Sequence, residues 1–151
     1  MPLPRPITKS QYETLAALRH ALSRFLLFSQ EAARDAGLAP QQHQALLAIK
    51  GFPGRDYVSI GELAERLHLR HHSAVGLVDR LVQRQLVRRI PSIADKRRVE
   101  VKLTERGETL ISRLSAAHWH ELKQLGPEFT RVLDSITGIG PARALKTRKT
   151  K

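Results

Sequence analysis

The chain has 151 residues, no cysteine, 41% hydrophobic residues and a formal net charge of +12. That length is enough for one domain with a real core, and the lack of cysteine excludes disulfides, thiolate metal sites and thiol-based redox sensing. No apolar run approaches the ~20 residues of a membrane span, and the opening MPLPRPITKS lacks a signal-peptide core, so a cytoplasmic protein is expected.

Pro2, Pro4 and Pro6 predict an extended, mobile arm over residues 1–9. A helix is expected over residues 10–37. Ser10 with Glu13, or Thr8 with Gln11, makes a capping box, and Gly37 stops the helix. Its seam is Leu15, Leu18, Leu22, Phe25, Ser29 and Ala32, widened by Leu26, Leu27 and Phe28. A second helix starts at Pro40 and ends near Gly51, with Leu46, Leu47 and Ile49 as its core residues. Phe52 to Asp56 reads as a loop. Ser59 with Glu62 caps a third helix, with Ile60, Leu63, Ala64 and Leu67 on one face. Arg70 and His71 fall in the turn before a fourth helix, whose buried stripe is Ala74, Leu77, Val78 and Leu81. Two short helices joined by a tight turn fit a helix-turn-helix.

Val87 to Ile90 is a short strand ended by Pro91, and Val99, Val101 and Leu103 alternate with Glu100 and Lys102 as a half-buried strand. Ser92 to Arg98 is the long turn between them. Thr104 caps a helix running to about Leu125. Gly126-Pro127 breaks it, and a last helix uses Phe129, Val132, Leu133 and Ile136 before Gly138-Ile139-Gly140-Pro141. The fold class expected is mainly α with a small β-hairpin wing (α+β).

Charge is concentrated where this pattern places a reading element. Residues 66–106 carry eleven basic and four acidic side chains, and residues 141–151 carry five basic and none acidic. Positive charge alone is often a solvated surface. Here it coincides with a groove-sized helix and a charged hairpin, which points to nucleic acid. The fourth helix turns His72, Val75, Gly76, Asp79, Arg80 and Gln83 away from its core stripe. His71, His72 and Ser73 can bond base edges or phosphates, and Val75 can meet a thymine methyl. Gly76 permits close backbone approach, and Arg70, Arg80 and Arg84 suit phosphates. Asp79 would repel DNA unless a nearby arginine pairs it. At the hairpin tip, Asp95, Lys96, Arg97 and Arg98 can put one arginine into a narrow minor groove, with Asp95 holding that arginine by a charge-assisted bond.

Four segments then resemble the MarR family of bacterial transcriptional regulators. These are Leu77-Val78-Asp79-Arg80-Leu81-Val82, Leu86-Val87-Arg88-Arg89, Asp95-Lys96-Arg97 and Leu103-Thr104-Glu105-Arg106-Gly107. The resemblance covers residues 40–107. It implies a winged helix-turn-helix domain over residues 38–107, flanked by dimerisation helices at 10–37 and 108–140; the composition of residues 141–151, basic with Leu145 as the one large apolar residue, predicts a disordered tail. The resemblance also implies a homodimer on a pseudo-palindromic site in double-stranded DNA, in the bacterial nucleoid, with Arg97 as the minor-groove arginine oriented by Asp95. The expected function is a transcription regulator, a repressor released by a small aromatic or phenolic effector. The alternatives are a winged-helix protein-interaction module and a regulator with no small-molecule ligand. Three positions depart from the family: Val75 and Gly76 replace a common Ser/Thr-Arg pair, and Gln85 replaces a common glycine. Gln85 then needs a left-handed backbone, at about 1 kcal/mol.

His20, Arg24 and Trp119 are the candidate effector-pocket residues. The spacings His68/His72 and His118/His120 make no convincing metal site. No cofactor is expected, and no nucleophile–base pair, paired carboxylates or phosphate loop suggests an enzyme.

Overall fold

The structure, a computed structural model, describes residues 5–138; the remainder of the N-terminal arm and the whole basic tail lie outside the described residues. The element order is α1 (Lys9–Asp35), α2 (Pro40–Lys50), β1 (Tyr57–Ser59), α3 (Ile60–Arg66), α4 (His71–Gln83), β2 (Val87–Pro91), β3 (Val99–Leu103) and α5 (Glu105–Thr137). Among the described residues no helix is long and apolar enough to cross a membrane. Two compact units divide the chain: residues 28–118, and residues 1–27 together with 119–151.

The 28–118 unit is built around one apolar core. The stripe Ala74, Leu77, Val78 and Leu81 is fully buried, as its spacing requires, and it packs with Leu46, Ile49, Val58, Leu63, Leu86, Val101, Leu103, Ile111 and Leu114. The sheet is three-stranded and antiparallel in the order β1-β3-β2, with Val58 opposite Val101 and Arg89 opposite Val101 on the other side. β1 was absent from the expected elements. Three residues are too few to show alternation, and the strand exists because Val58 fills a site beside Val101.

Other expectations need correction. Leu47 is 46% exposed, on the side of α2 away from the core, and Val99 is 45% exposed at the outer end of β3. α1 begins at Lys9, and the cap that forms is Thr8 with Gln11: the Thr8 N–H donates to Gln11 Oε1 at 2.9 Å and the Gln11 N–H to Thr8 Oγ1 at 3.2 Å. α4 begins at His71, with Arg70 in extended geometry at its N-cap, so both residues are part of the helix start and not of a preceding turn. The Ser59–Glu62 box forms in both directions, at 2.8 and 3.1 Å.

The break at Gly126-Pro127 does not occur, and α5 runs through it. A proline disfavours helical geometry in the preceding residue mainly through that residue's Cβ. Gly126 has none, so that part of the clash is relieved, leaving the lost backbone hydrogen bond and the crowding of the i−4 carbonyl as the cost. In the unit that contains this stretch, Ala21, Leu125 and Val132 are buried, while Tyr12, Leu15, Leu22, Leu26, Leu27, Trp119, Leu133 and Ile136 are exposed. Leu15 and Leu22 of the seam anticipated for α1, and Leu26 and Leu27 that widen it, are therefore open in a single copy.

Candidate nucleic-acid interface

Only Arg84, Gln85 and Leu86 separate α4 from β2, so the chain must turn sharply there. Gln85 does this with φ 58°, the left-handed conformation anticipated for it. Its neighbour Leu86 donates back to the Leu81 carbonyl at 3.0 Å. The turn is then clamped by the start of α5. Thr104 Oγ1 donates to the Gln85 carbonyl at 2.6 Å, and the Thr104 N–H donates to the Leu86 carbonyl at 3.1 Å. The same hydroxyl accepts the Gly107 N–H at 3.1 Å, capping α5. A Cβ on Gly107 would stand 2.1 Å from the Leu86 oxygen, so only glycine lets the two segments approach this closely. The Leu-Thr-x-x-Gly pattern thus fixes the end of α4, the start of β2 and the start of α5 at one point.

On the outward side of α4, His71, His72, Asp79 and Arg80 are exposed, and Ser73, Val75 and Gly76 are half-buried. Asp79 accepts from Arg89 of β2, the arginine partner its charge called for. That pair joins α4 to the hairpin and removes the repulsion an unpaired carboxylate would present to phosphate. Arg84 is differently placed from Arg80. Its guanidinium donates to Gln42 Oε1 at 3.0 Å, and the same oxygen accepts the Ala39 N–H at the start of α2. Arg84 therefore fastens α4 to α2 and is drawn away from the outward surface.

The hairpin tip is ordered by its own backbone. The Ser92 N–H donates to the Arg98 carbonyl at 3.0 Å, the Arg98 N–H to the Asp95 carbonyl at 2.9 Å and the Asp95 N–H to Ser92 Oγ at 3.3 Å. Asp95 Oδ1 accepts the backbone N–H of Arg97 at 3.0 Å. The expected carboxylate–guanidinium bond is thus replaced by a bond to the main chain: Asp95 shapes the turn, and the Lys96, Arg97 and Arg98 side chains remain exposed. Beside the tip segment, in a cleft shared with Ser92, Asp95 and Arg98, Arg55 holds Glu62 through a forked hydrogen bond, one arm at 3.1 Å. This bond, first, and the Ser59 backbone keep the Glu62 carboxyl below its usual range against the opposing effect of burial. Arg55 also lies over the rings of Phe52 and Tyr57, at 4.3 and 5.1 Å. The loop that sequence reading marked only by its Pro and Gly is held by this stack.

The candidate effector residues all lie at the surface. His20, Arg24 and Trp119 are exposed, and Arg24 is bonded to Glu128 at 3.2 Å. A cleft of about 310 Å³ in the same unit is lined by Ser10, Glu13, Thr14, Ala17, Glu128, Arg131, Val132 and Ser135, and by none of the three. Among the described residues no group of three metal-ligating side chains gathers.

A buried histidine pair escaped the sequence reading altogether. His43 of α2 stacks on His118 of α5, with ring centroids 4.6 Å apart. His118 Nδ1 meets the Leu114 carbonyl at 2.6 Å and its Nε2 meets Ser29 Oγ at 2.8 Å. His43 Nε2 is buried without a partner. Burial, and then the charge of His118, lower the His43 pKa to about 4. The one sequence signal was a histidine among the apolar positions of α2.

With this geometry in view, the comparisons are specific. The MarR family pattern matches residues 36–98, from the end of α1 to the hairpin tip. Residues 36–98 are therefore similar to the MarR family, and the chain has the winged helix-turn-helix fold. The MarR family is one of transcriptional regulators and not of enzymes. A curated relative, the HTH-type transcriptional regulator YsmB of Bacillus subtilis, is 30% identical over 73 residues, 48% of this chain. The chain spans about half the length of that relative. Two solved structures share the fold. S. aureus MepR, as an F27L mutant bound to an oligodeoxyribonucleotide, has a TM-score of 0.62 at 17% identity, covering 87% of this chain and 99% of its own. NadR, in complex with 4-hydroxyphenylacetate, has a TM-score of 0.62 at 21% identity, covering 91% and 96%.

Proposed function

We propose that this chain is a homodimeric, sequence-specific DNA-binding transcription regulator of the MarR family that represses from a pseudo-palindromic site. One observation carries the reading. The outward face of α4 and the Lys96–Arg98 tip belong to one clamped unit, a helix suited to the major groove beside a cationic hairpin suited to the minor groove. Within it, Arg70, His71, His72, Ser73, Val75, Gly76 and Arg80 serve the helix contact and Lys96, Arg97 and Arg98 the wing, with Asp95 as a positioning residue. Arg84 serves the fold. MepR, whose structure holds an oligonucleotide, supports the DNA partner.

Residues 38–107 would then form the DNA-binding domain, with the helical segments 10–37 and 108–140 pairing two copies. The exposed apolar side chains of α1 and α5 support that pairing. Release by a small organic effector is the further part of the reading, supported by the 4-hydroxyphenylacetate bound to NadR. His20, Arg24 and Trp119 would serve it only if a second copy completes the site.

Fluorescence anisotropy with labelled DNA from the chain's own promoter region tests this. Nanomolar, salt-sensitive, sequence-selective binding is expected, and Arg97→Ala should weaken it about tenfold or more. Length-dependent binding without selectivity would instead favour a winged-helix interaction module.

A further inference from the structure

We propose that Arg80 reads a base, and that Gly76 is the seat that allows it to; this rests on the DNA-binding reading above. Helical side chains lean toward the N-terminus, so a residue covers the surface one turn before its own Cα. Arg80 does so over Gly76. A Cβ built on Gly76 would lie 3.5 Å from Arg80 Nη1, an ordinary contact.

That placement changes where the charge acts. At about 100° per residue, His72, Gly76, Asp79 and Gln83 lie opposite the buried stripe, while the Arg80 Cα stands on the flank of that face. Folding back over Gly76 carries the guanidinium from the flank onto the centre, where a larger residue 76 would put its own side chain. The group is also uncommitted. The adjacent carboxylate of Asp79 is held by Arg89, and the Arg80 side chain has no hydrogen-bond or ion-pair partner among the described residues. Glycine is among the poorest residues for a helix interior, and nothing but Arg80 occupies the space beside this one within 4 Å.

A planar guanidinium presented there matches the O6 and N7 acceptors of guanine with two parallel donors. Val75, one step round the same face, is placed for an apolar contact beside it. A phosphate clamp would use only the charge, which lysine supplies equally well. A base reader needs the fork, which lysine lacks.

The test is selection of binding sites from a random duplex library by the full chain, with melting curves to verify folding. The wild type should select a guanine in each half-site. Arg80→Lys should lower the preference at that column alone by about tenfold, with the salt dependence of binding unchanged. Gly76→Gln should erase the same column although Arg80 is still present, and Gly76→Ala should keep it. An unchanged Arg80→Lys consensus would overturn the proposal and leave the DNA-binding reading standing. So would a uniform loss across sequences in Arg80→Ala, with the salt slope reduced by about one. A wild-type chain that binds no DNA would overturn both.

Discussion

A methyl group on Gly107 would have to occupy space 2.1 Å from the Leu86 carbonyl oxygen, and neither backbone can yield without loosening the Thr104 bonds on either side. Gly107→Ala should therefore cost roughly 3 kcal/mol, read as a lowered urea midpoint, well above the typical surface substitution. Gln85 is the opposite case. Its left-handed φ of 58° is strained for a side-chain-bearing residue, so Gln85→Gly should stabilise by up to about 1 kcal/mol, less the entropy that glycine adds to the unfolded chain. His43 gives a pH prediction. Its folded pKa of about 4 lies below the usual 6.5, so the fold favours the neutral ring. The stability this contributes is complete above pH 6.5 and is lost as the pH falls from 6.5 to 4, by up to about 3 kcal/mol. Chemical denaturation at pH 7.5 and pH 4.5 should show the loss, and His43→Leu should show a smaller one.

Among the elements, α5 offers the sharpest contrast between sequence and structure. Pro127 inside the helix forfeits one backbone hydrogen bond, and Pro127→Ala should stabilise the protein by about 1–3 kcal/mol in thermal denaturation. The helix-turn-helix and hairpin were readable because each has a strong local signal. Ala74, Leu77, Val78 and Leu81 repeat at helical spacing, Ser59 and Glu62 cap reciprocally, and Val101 and Leu103 alternate. What could not be read depends on partners distant in sequence. β1 has three residues and exists by pairing with β3. Gly126 excuses Pro127 by a steric absence that composition-based breaker rules do not weigh. The turn of Arg84 toward Gln42 and the stacking of His43 on His118 span 42 and 75 residues, which no periodicity reports. Asp79 was legible because its charge conflicted with its surroundings, and such a conflict predicts a partner. The Asp79–Arg89 pair is partly exposed and should contribute under about 1 kcal/mol to stability.

For the molecule as a whole, the distribution of exposed apolar side chains is uneven. Tyr12, Leu15, Leu22, Leu26, Leu27, Trp119, Leu122, Leu133 and Ile136 all belong to the unit of residues 1–27 and 119–151. Such a concentration is expected of a surface that meets another protein, and the proposed occupant is a second copy. Sedimentation equilibrium should give twice the chain mass. Leu15→Glu with Ile136→Glu should yield monomers whose DNA affinity falls far more than the loss of one phosphate contact would explain, because both half-sites must be held together. The Thr104–Gly107 junction has a consequence at this scale. It welds α4 to the hairpin, so the reach from helix to tip is a fixed length set by three hydrogen bonds and one missing methyl group. On the proposed reading, a promoter is then measured by a rigid gauge. Regulation would leave the gauge intact and change only the interval between two of them.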